Sequence, residues 1–219
     1  MGSSFFDSTF LHYATKPMFM VLLMVYHYMQ IDDRTSFFSR MIQFGLFFSW
    51  LGDIALMLPP DPNELLFIAG LVFFLIAHLG YTMAFYRSIK DSKADFSYTQ
   101  AAKLAVPFVV FVGSFFYYIK DGLPEDLFIP VLAYTAVISM MGIFSAWRSG
   151  HVDTKSFNWI LSGAILFILS DCVLAFNKFA VDFEYDALLN AILYFGGQYM
   201  IAVGAIFYAS SLSSPQVDS

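Results

Sequence analysis

The sequence has 219 residues, of which 59% are hydrophobic and only 13% are charged, whereas a soluble domain carries about 25% charged residues. A chain of this composition would expose large apolar patches to water. The composition therefore excludes a soluble domain and predicts an exterior that faces lipid. The net charge of -6 excludes the basic footprint needed to bind nucleic acid or anionic lipid. A single cysteine excludes an internal disulfide and a cysteine-rich metal site.

Seven apolar segments follow one another along the chain, each separated from the next by charged, Pro-rich or Gly-rich residues. None of them alternates in the way that a membrane-barrel strand does, so a helical bundle is the spanning solution that remains. The sequence therefore predicts an all-α fold, a polytopic transmembrane helical bundle of about seven spans that forms a single integral membrane domain. The predicted spans are residues 11–29, 37–58, 65–86, 103–119, 127–147, 157–176 and 185–208.

The basic residues are distributed unevenly between the two sides of this bundle. Eight lysines and arginines flank the first, third and fifth loops, and three lie on the other side. The positive-inside rule then places these three loops in the cytoplasm, the N-terminus outside and the C-terminus inside. Compact size and the absence of recognisable targeting segments predict the inner, cytoplasmic membrane of a bacterium.

Two carboxylates interrupt the apolar segments, Asp53 in the second and Asp171 in the sixth. A charge at the centre of a spanning helix costs about 2.5–3.5 kcal/mol on insertion scales, so such residues mark candidate functional sites. Each aspartate lies five residues before the predicted end of its helix, which puts both about 7–8 Å below the same membrane boundary. Nearly every other charge falls in a loop or at a rim, and the aspartates are therefore the candidate catalytic pair.

The surroundings of the two aspartates are similar. Residues 52–56 (GDIAL) and 170–174 (SDCVL) share a small-Asp-x-x-Leu pattern, and the helix after each carries a polar residue in mid-span, His78 or Gln198. We interpret this similarity as a weak parallel repeat of four helices, related by an axis along the membrane normal. The repeat predicts that Asp53 and Asp171 face one another in one central site and that the first helix of the first half is absent.

Each further polar candidate also has an ordinary structural interpretation. His78 is either a proton carrier or a hydrogen-bonding residue between helices. Lys16 is either a phosphate ligand or an interfacial lysine that extends to the membrane surface. Tyr134 and Gln198 are either substrate ligands or packing residues that bridge helices.

Several motifs combine these residues in a fixed order. They are Lys16 with Pro17, the Gly-Asp of residues 52–53, Gly70 with Phe74, His78 and Tyr81, Tyr134 with Met141, Ser-Asp-x-x-Leu-Ala of residues 170–175, and Tyr194 with Gln198 and Ile201. Together they resemble the YhhN family of integral membrane proteins, the lysoplasmalogenases, from about residue 16 to about residue 206. Members of that family usually show about eight spans, and the helix expected before Lys16 is missing or reduced to residues 1–15.

The resemblance implies hydrolysis of the vinyl ether bond of lysoplasmalogens, lysophospholipids held in the membrane, to a fatty aldehyde and glycerophosphoethanolamine or glycerophosphocholine. Such hydrolysis needs a proton donor, a negative charge near an oxocarbenium ion and a base for water, which glycosidases supply with two carboxyl groups. Asp53 and Asp171 are expected to share the acid and base roles about 5–10 Å apart. His78, Tyr134 and Gln198 are expected to complete the polar pocket, and Lys16 is expected to hold the phosphate.

The residues leave a second class of function open. In a proton-coupled transporter, Asp53, Asp171 and His78 would form a proton relay at the interface between the repeats. An intramembrane aspartyl protease is disfavoured because its Gly-x-Gly-Asp motif fails at Trp50. The carboxylates and histidines of the spans are too sparse for a zinc site. We expect no metal, no cofactor and no nucleic-acid partner, and the sequence does not predict the oligomeric state.

Overall fold

The computed structural model describes residues 9–58, 64–181 and 184–213, with side chains from residue 17 onward. Within these ranges the chain forms seven α-helices and no strand, which confirms the predicted all-α bundle. The helices are α1 (Thr9–Gln30), α2 (Phe37–Met57), α3 (Leu65–Lys90), α4 (Tyr98–Ile119), α5 (Glu125–Trp147), α6 (Thr154–Phe179) and α7 (Asp186–Ser213). One turn of 3-10 helix, Lys120–Gly122, follows α4.

Each predicted span lies on one of these helices, apart from residue 58, which follows α2, and residue 185, which precedes α7. Five helices, α3 to α7, are long and apolar enough to cross a membrane by length and composition, so the protein is an integral membrane protein. Helix α2 is less apolar because it contains polar residues such as Gln43, Ser49 and Asp53. Several helices are longer than the predicted spans; α4, for example, begins at Tyr98 and α7 ends at Ser213. Polar residues end a hydrophobic segment, but they do not end a helix. The membrane boundaries and the helix expected before Lys16 stay predictions, and residues 1–8 lie outside the described part of the chain.

Hydrogen-bonding side chains set the starts of α2 and α6. The Ser36 hydroxyl accepts a 3.1 Å hydrogen bond from the backbone N–H of Ser39, and the Asp153 carboxylate accepts one of 3.0 Å from that of Ser156. Such caps satisfy backbone donors that the first helical turn leaves unpaired. They fix where the two helices that carry the aspartates begin.

The helices pack in a pattern that is consistent with the predicted repeat. The most extensive contacts are between α2 and α3 and between α6 and α7. Helix α1 packs on α7, and α5 packs on α3, so the helix before each aspartate helix contacts the opposite half. Helix α4 packs mainly on α5 and has no described counterpart in the first half.

Two glycines bring α6 and α7 close together. A Cβ atom added to Gly163 would lie 2.8 Å from the carbonyl oxygen of Gly197, and one added to Gly197 would lie 2.9 Å from that of Gly163. Because backbone faces backbone here, a larger residue has no flexible side chain to displace. Small residues that allow such close approach are typical of helix interfaces in membranes.

The two ends of the bundle differ in their ionic contacts. At the end where α2 and α6 stop and α3 starts, called the Lys178 end, the Lys178 ammonium lies 2.9 Å from the Glu64 carboxylate. At the opposite end, called the Arg148 end, Arg148 follows α5 and is fully buried. Its guanidinium donates hydrogen bonds of 2.9 Å to Ser88 Oγ and 2.7 Å to Ser156 Oγ. Arg148 is thus a further buried charge, although the sequence places it beside the fifth loop.

Candidate functional site

Asp171 lies on the wall of a cavity enclosed mainly by α3, α4, α5 and α6. The empty volume is about 660 Å³, counting the part that is open to the surroundings. Its polar lining residues are Tyr134, Thr135, Asp171 and Cys172. The apolar lining residues are Leu56, Phe67, Leu71, Phe74, Val112, Phe115, Ile119, Val131, Ile138, Ile168, Leu174, Ala175 and Phe179. A carboxyl group on an otherwise apolar wall suits a ligand that is mostly hydrocarbon with one polar reacting group.

The cavity extends inward from the Lys178 end. Its lining begins at Phe67, Ile119 and Phe179, which lie at or near helix ends there. Asp171 precedes Phe179 by eight residues, so the carboxyl group is about 12 Å below that rim at 1.5 Å per residue. The carboxyl group is therefore deep enough to meet the hydrocarbon part of a lipid whose polar part stays at the rim.

Asp171 belongs to a hydrogen-bonded group with Tyr134 of α5 and His78 of α3. The Tyr134 hydroxyl donates a hydrogen bond to Asp171 Oδ2 and lies 2.9 Å from His78 Nε2. His78 Nε2 is also 3.4 Å from Asp171 Oδ2, and the histidine side chain is fully buried, whereas that of Asp171 is 15% exposed. The other ring nitrogen, Nδ1, lies 3.3 Å from Met141 Sδ. Three helices thus form one continuous hydrogen-bonded chain that runs from the cavity wall, at Asp171 and Tyr134, to the buried His78.

Asp53 is the centre of a second buried group. Its Oδ2 atom accepts a 2.7 Å hydrogen bond from the Tyr194 hydroxyl of α7. Nearby, the Tyr81 hydroxyl donates a 2.6 Å hydrogen bond to Gln198 Oε1. None of these residues belongs to the described lining of the cavity. The structure therefore brings Asp171, and not Asp53, to the cavity wall.

The ring of Phe167 lies between the two groups. Its centroid is 4.7 Å from that of His78 and 5.4 Å from that of Tyr194. The Tyr194 ring also makes an edge contact with Phe74, at a centroid distance of 5.9 Å. Packed aromatic rings thus connect the two groups, in surroundings of low polarity where charges interact strongly.

The predicted site residues divide accordingly. Tyr134 joins Asp171 at the cavity, and His78 stands behind Tyr134 without lining the cavity. Gln198 lies in the group of Asp53, and the side chain of Lys16 lies outside the described residues. The roles of these residues in binding or catalysis stay predictions.

Three members of these groups are absent from the predicted site. Tyr194 lies four residues before Gln198, Met141 lies seven residues after Tyr134, and Tyr81 lies three residues after His78. These spacings put each of them on the same helix face as a predicted site residue, which was the available signal. Within the described residues, no three His, Cys, Asp or Glu side chains lie close enough together to hold a metal ion.

Comparison with known proteins gives a consistent result. The model of the YhhN family matches residues 11–205. Lysoplasmalogenase TMEM86B of Homo sapiens is 30% identical over 169 residues, which cover 77% of this chain and 65% of the human protein. TMEM86B of Rattus norvegicus is 28% identical over 77% of this chain and 63% of the rat protein.

A second lysoplasmalogenase, TMEM86A of Bos taurus, is 26% identical over 74% of this chain and 63% of the bovine protein. The chain therefore spans slightly less than two thirds of these relatives. No solved structure matches it.

Proposed function

This chain belongs to the YhhN family, and on that premise we propose that it hydrolyses the vinyl ether bond of lysoplasmalogens. The products are a fatty aldehyde and glycerophosphoethanolamine or glycerophosphocholine. Two kinds of observation support the proposal. The matching relatives are named lysoplasmalogenases, and one carboxyl group, that of Asp171, lies on the wall of an apolar cavity.

The position of Asp171 is the observation that carries the proposal. A lysoplasmalogen has one alkenyl chain, and the vinyl ether joins that chain to the glycerol. The apolar lining suits the chain, and the depth of Asp171 suits a bond that lies below the headgroup. Because carboxyl groups are proton donors and acceptors, we propose that Asp171 acts on the alkene.

The reaction needs one proton and one water molecule. Protonated Asp171 transfers its proton to the outer alkene carbon, so that its O–H bond breaks, a C–H bond forms and the π electrons provide the new pair. An oxocarbenium ion remains at the ether carbon, beside the Asp171 carboxylate. Water adds to that carbon and gives a proton back to Asp171, and the resulting hemiacetal collapses to aldehyde and alcohol. The sum is hydrolysis, with Asp171 first an acid and then a base.

Tyr134 and His78 support this cycle through their protons. A thioether sulfur only accepts, so a hydrogen bond to Met141 puts a proton on His78 Nδ1 and leaves Nε2 of the neutral ring an acceptor. When Asp171 is ionised, the Tyr134 hydroxyl has one proton and two neighbouring acceptors, the Asp171 carboxylate and His78 Nε2. One added proton, on Asp171 or on His78, allows both hydrogen bonds of Tyr134 to form at once. The hydrogen bonds thus favour one extra proton in the group formed by Asp171, Tyr134 and His78, and this is the proton that the reaction uses.

Asp53 contributes in a different way in this proposal. Its carboxylate is buried and bonded to Tyr194, and it lies outside the described lining of the cavity. A negative charge in surroundings of low polarity stabilises a cation formed nearby without touching it. The aspartate pair therefore divides the work, with proton transfer at Asp171 and electrostatic stabilisation from Asp53.

The test is product formation by purified protein in detergent. An alkenyl lysophospholipid should give aldehyde, whereas the matched saturated alkyl ether should give none because it has no alkene to protonate. Asp171→Asn should lower kcat about 10²–10⁴-fold, the usual range for loss of a general acid. Asp91→Asn, which removes an exposed carboxylate from a surface pair, is the control.

Aldehyde release that survives Asp171→Asn would overturn the assignment of the acid. No aldehyde from the wild type, combined with proton-coupled uptake of a solute into sealed vesicles, would favour the transporter. The bacterial inner membrane and a cytoplasmic C-terminus remain part of this proposal.

A further inference from the structure

The ion pair between Lys178 and Glu64 stands at the rim of the cavity that Asp171 lines. The Lys178 ammonium lies 4.3 Å from the ring centroid of Phe67 and 5.9 Å from that of Phe179. Both rings line the cavity. The ammonium therefore lies over the Phe67 ring and within cation–π range of the Phe179 ring, at the Lys178 end of the cavity.

The spacing of Lys178 and Asp171 matches a lysophospholipid. The two residues are seven apart on α6, which puts them on the same helix face with a rise of about 10.5 Å. From the outer alkene carbon of a lysoplasmalogen to its phosphorus there are seven bonds, about 8 Å in an extended chain.

The ion pair is also suited to exchange partners. The Lys178 and Glu64 side chains are 30% and 45% exposed, and a pair so exposed contributes only about 0–1 kcal/mol to stability. A zwitterionic headgroup carries a phosphate and, two carbons beyond, an ammonium. It can replace one ion pair by two, phosphate with Lys178 and ammonium with Glu64, so that no charge is left unpaired.

From these observations we propose that Lys178 and Glu64 form a headgroup subsite for zwitterionic lysophospholipids. This inference rests on the proposed function and deepens it. It adds to Lys16, the predicted phosphate ligand, a lysine whose contacts are described. Because a carboxylate faces the ammonium, the subsite should reject anionic headgroups, which place no cation beside Glu64.

Lys120 offers a matched control at the same end of the bundle. Its ammonium pairs with the adjacent Asp121 at 2.6 Å and is 32% exposed, much like Lys178. It lies over the ring of Tyr117, a residue outside the described cavity lining. Loss of Lys120 removes the same charge at a similar exposure without touching the proposed subsite.

The experiment measures binding of a saturated alkyl lysophospholipid, which cannot be hydrolysed at an alkene, to purified protein in a non-ionic detergent. Lys178→Gln should weaken binding of the ethanolamine lipid roughly tenfold, equivalent to about 1.4 kcal/mol, and Lys120→Gln should leave it unchanged. Glu64→Gln should weaken binding of the zwitterionic ethanolamine lipid. It should improve binding of the matched anionic lipid, whose phosphate carries glycerol in place of ethanolamine. Because binding is measured without turnover, this result stands apart from failure of the proposed hydrolysis.

Exchanging the charges of Lys178 and Glu64 distinguishes a role in lipid binding from a role in stabilising the fold. The double variant Lys178→Glu with Glu64→Lys keeps an ion pair but puts the anion over Phe67. We expect it to keep the unfolding temperature of the wild type and to bind the lipid as weakly as Lys178→Gln. Wild-type affinity in the exchanged variant, or equal losses in Lys120→Gln and Lys178→Gln, would overturn the subsite. Competition by inorganic phosphate at the same concentration as the lipid would also overturn the subsite, because the site would then bind free phosphate rather than a lipid headgroup.

Discussion

Tyr194 of α7 donates a hydrogen bond to Asp53 of α2 across 141 positions of the sequence. The corresponding donor to Asp171 is Tyr134, which comes from the helix immediately before the aspartate helix. Each aspartate thus has a tyrosine partner, but one partner comes from the opposite half and the other from the same half. The two halves therefore differ at this point, and α4 adds a cavity wall only beside Asp171.

Tyr194→Phe should destabilise the protein and reduce activity only modestly. The substitution keeps the ring against Phe167 and removes one hydrogen bond from a buried carboxylate, a loss of about 1–3 kcal/mol. If Asp53 acts through its charge, kcat should fall less than in Asp171→Asn. The unfolding temperature and kcat are the measurements.

Tyr199→Phe is the control for that variant, because Tyr199 is 44% exposed on the same helix and should tolerate loss of its hydroxyl. A fall in kcat as large as that of Asp171→Asn would contradict the division of roles between the aspartates.

Composition and hydrophobic segments are sufficient to predict the helices. Lipid imposes one solution on a long apolar segment, because every backbone polar group must be paired within the chain. Helix ends are less well predicted, since α4 begins at Tyr98 and α7 ends at Ser213, outside the apolar segments. A polar side chain ends favourable contact with lipid, whereas the backbone hydrogen bonds of the helix continue past it.

The two aspartates could be identified from the sequence, but their surroundings could not. A charge in an apolar segment is visible in any sequence. Whether the charge faces a cavity depends on the rotation of each helix and on its neighbours, so the repeat did not show that Asp171 lines the cavity while Asp53 lies outside its described lining. The burial of Arg148 was hidden for the same reason, since serines of α3 and α6 bind it only after the helices have packed.

The chain from Asp171 through Tyr134 to His78 predicts non-additive kinetics. Tyr134→Phe breaks both hydrogen bonds of the chain, and His78→Gln removes the group that exchanges the proton. By analogy with the hydrogen-bonding partners of metal ligands, each should lower kcat roughly 10–100-fold. The double variant should be no slower than Tyr134→Phe alone, because both changes interrupt one pathway. Losses that multiply would show that the two residues act independently.

The contact between Gly163 and Gly197 predicts a clear difference between two glycine variants. Gly163→Ala places a methyl group 2.8 Å from a backbone oxygen of α7 and should cost about 1–3 kcal/mol through overpacking. Gly113→Ala on α4 meets nothing within 4 Å and should be neutral or slightly stabilising. Unfolding temperatures of both variants in the same detergent test this, and an equally stable Gly163→Ala protein would contradict the close approach.

Cys172 provides a chemical probe of the cavity. It is the single cysteine of the sequence, it lies next to Asp171, and it lines the cavity. Because it is partly buried among apolar residues, its thiol is a weak nucleophile, so an uncharged maleimide should label the protein slowly and abolish hydrolysis, and Cys172→Ser should remove labelling. A saturated alkyl lysophospholipid at ten times its Kd should slow labelling about elevenfold, following 1 + [L]/Kd. An unchanged labelling rate would place the lipid elsewhere.

The distribution of basic residues predicts the orientation of the bundle, which single cysteines can test. In a Cys172→Ser background, Ser92→Cys probes the third loop, which the positive-inside rule places in the cytoplasm. Asp121→Cys probes the Lys178 end, where the side chain of Asp121 is 84% exposed. In intact cells a membrane-impermeant maleimide should label the variant at 121 and not the variant at 92, and both should react after lysis. The reverse pattern would invert the orientation and would place the Lys178–Glu64 subsite in the cytoplasmic leaflet.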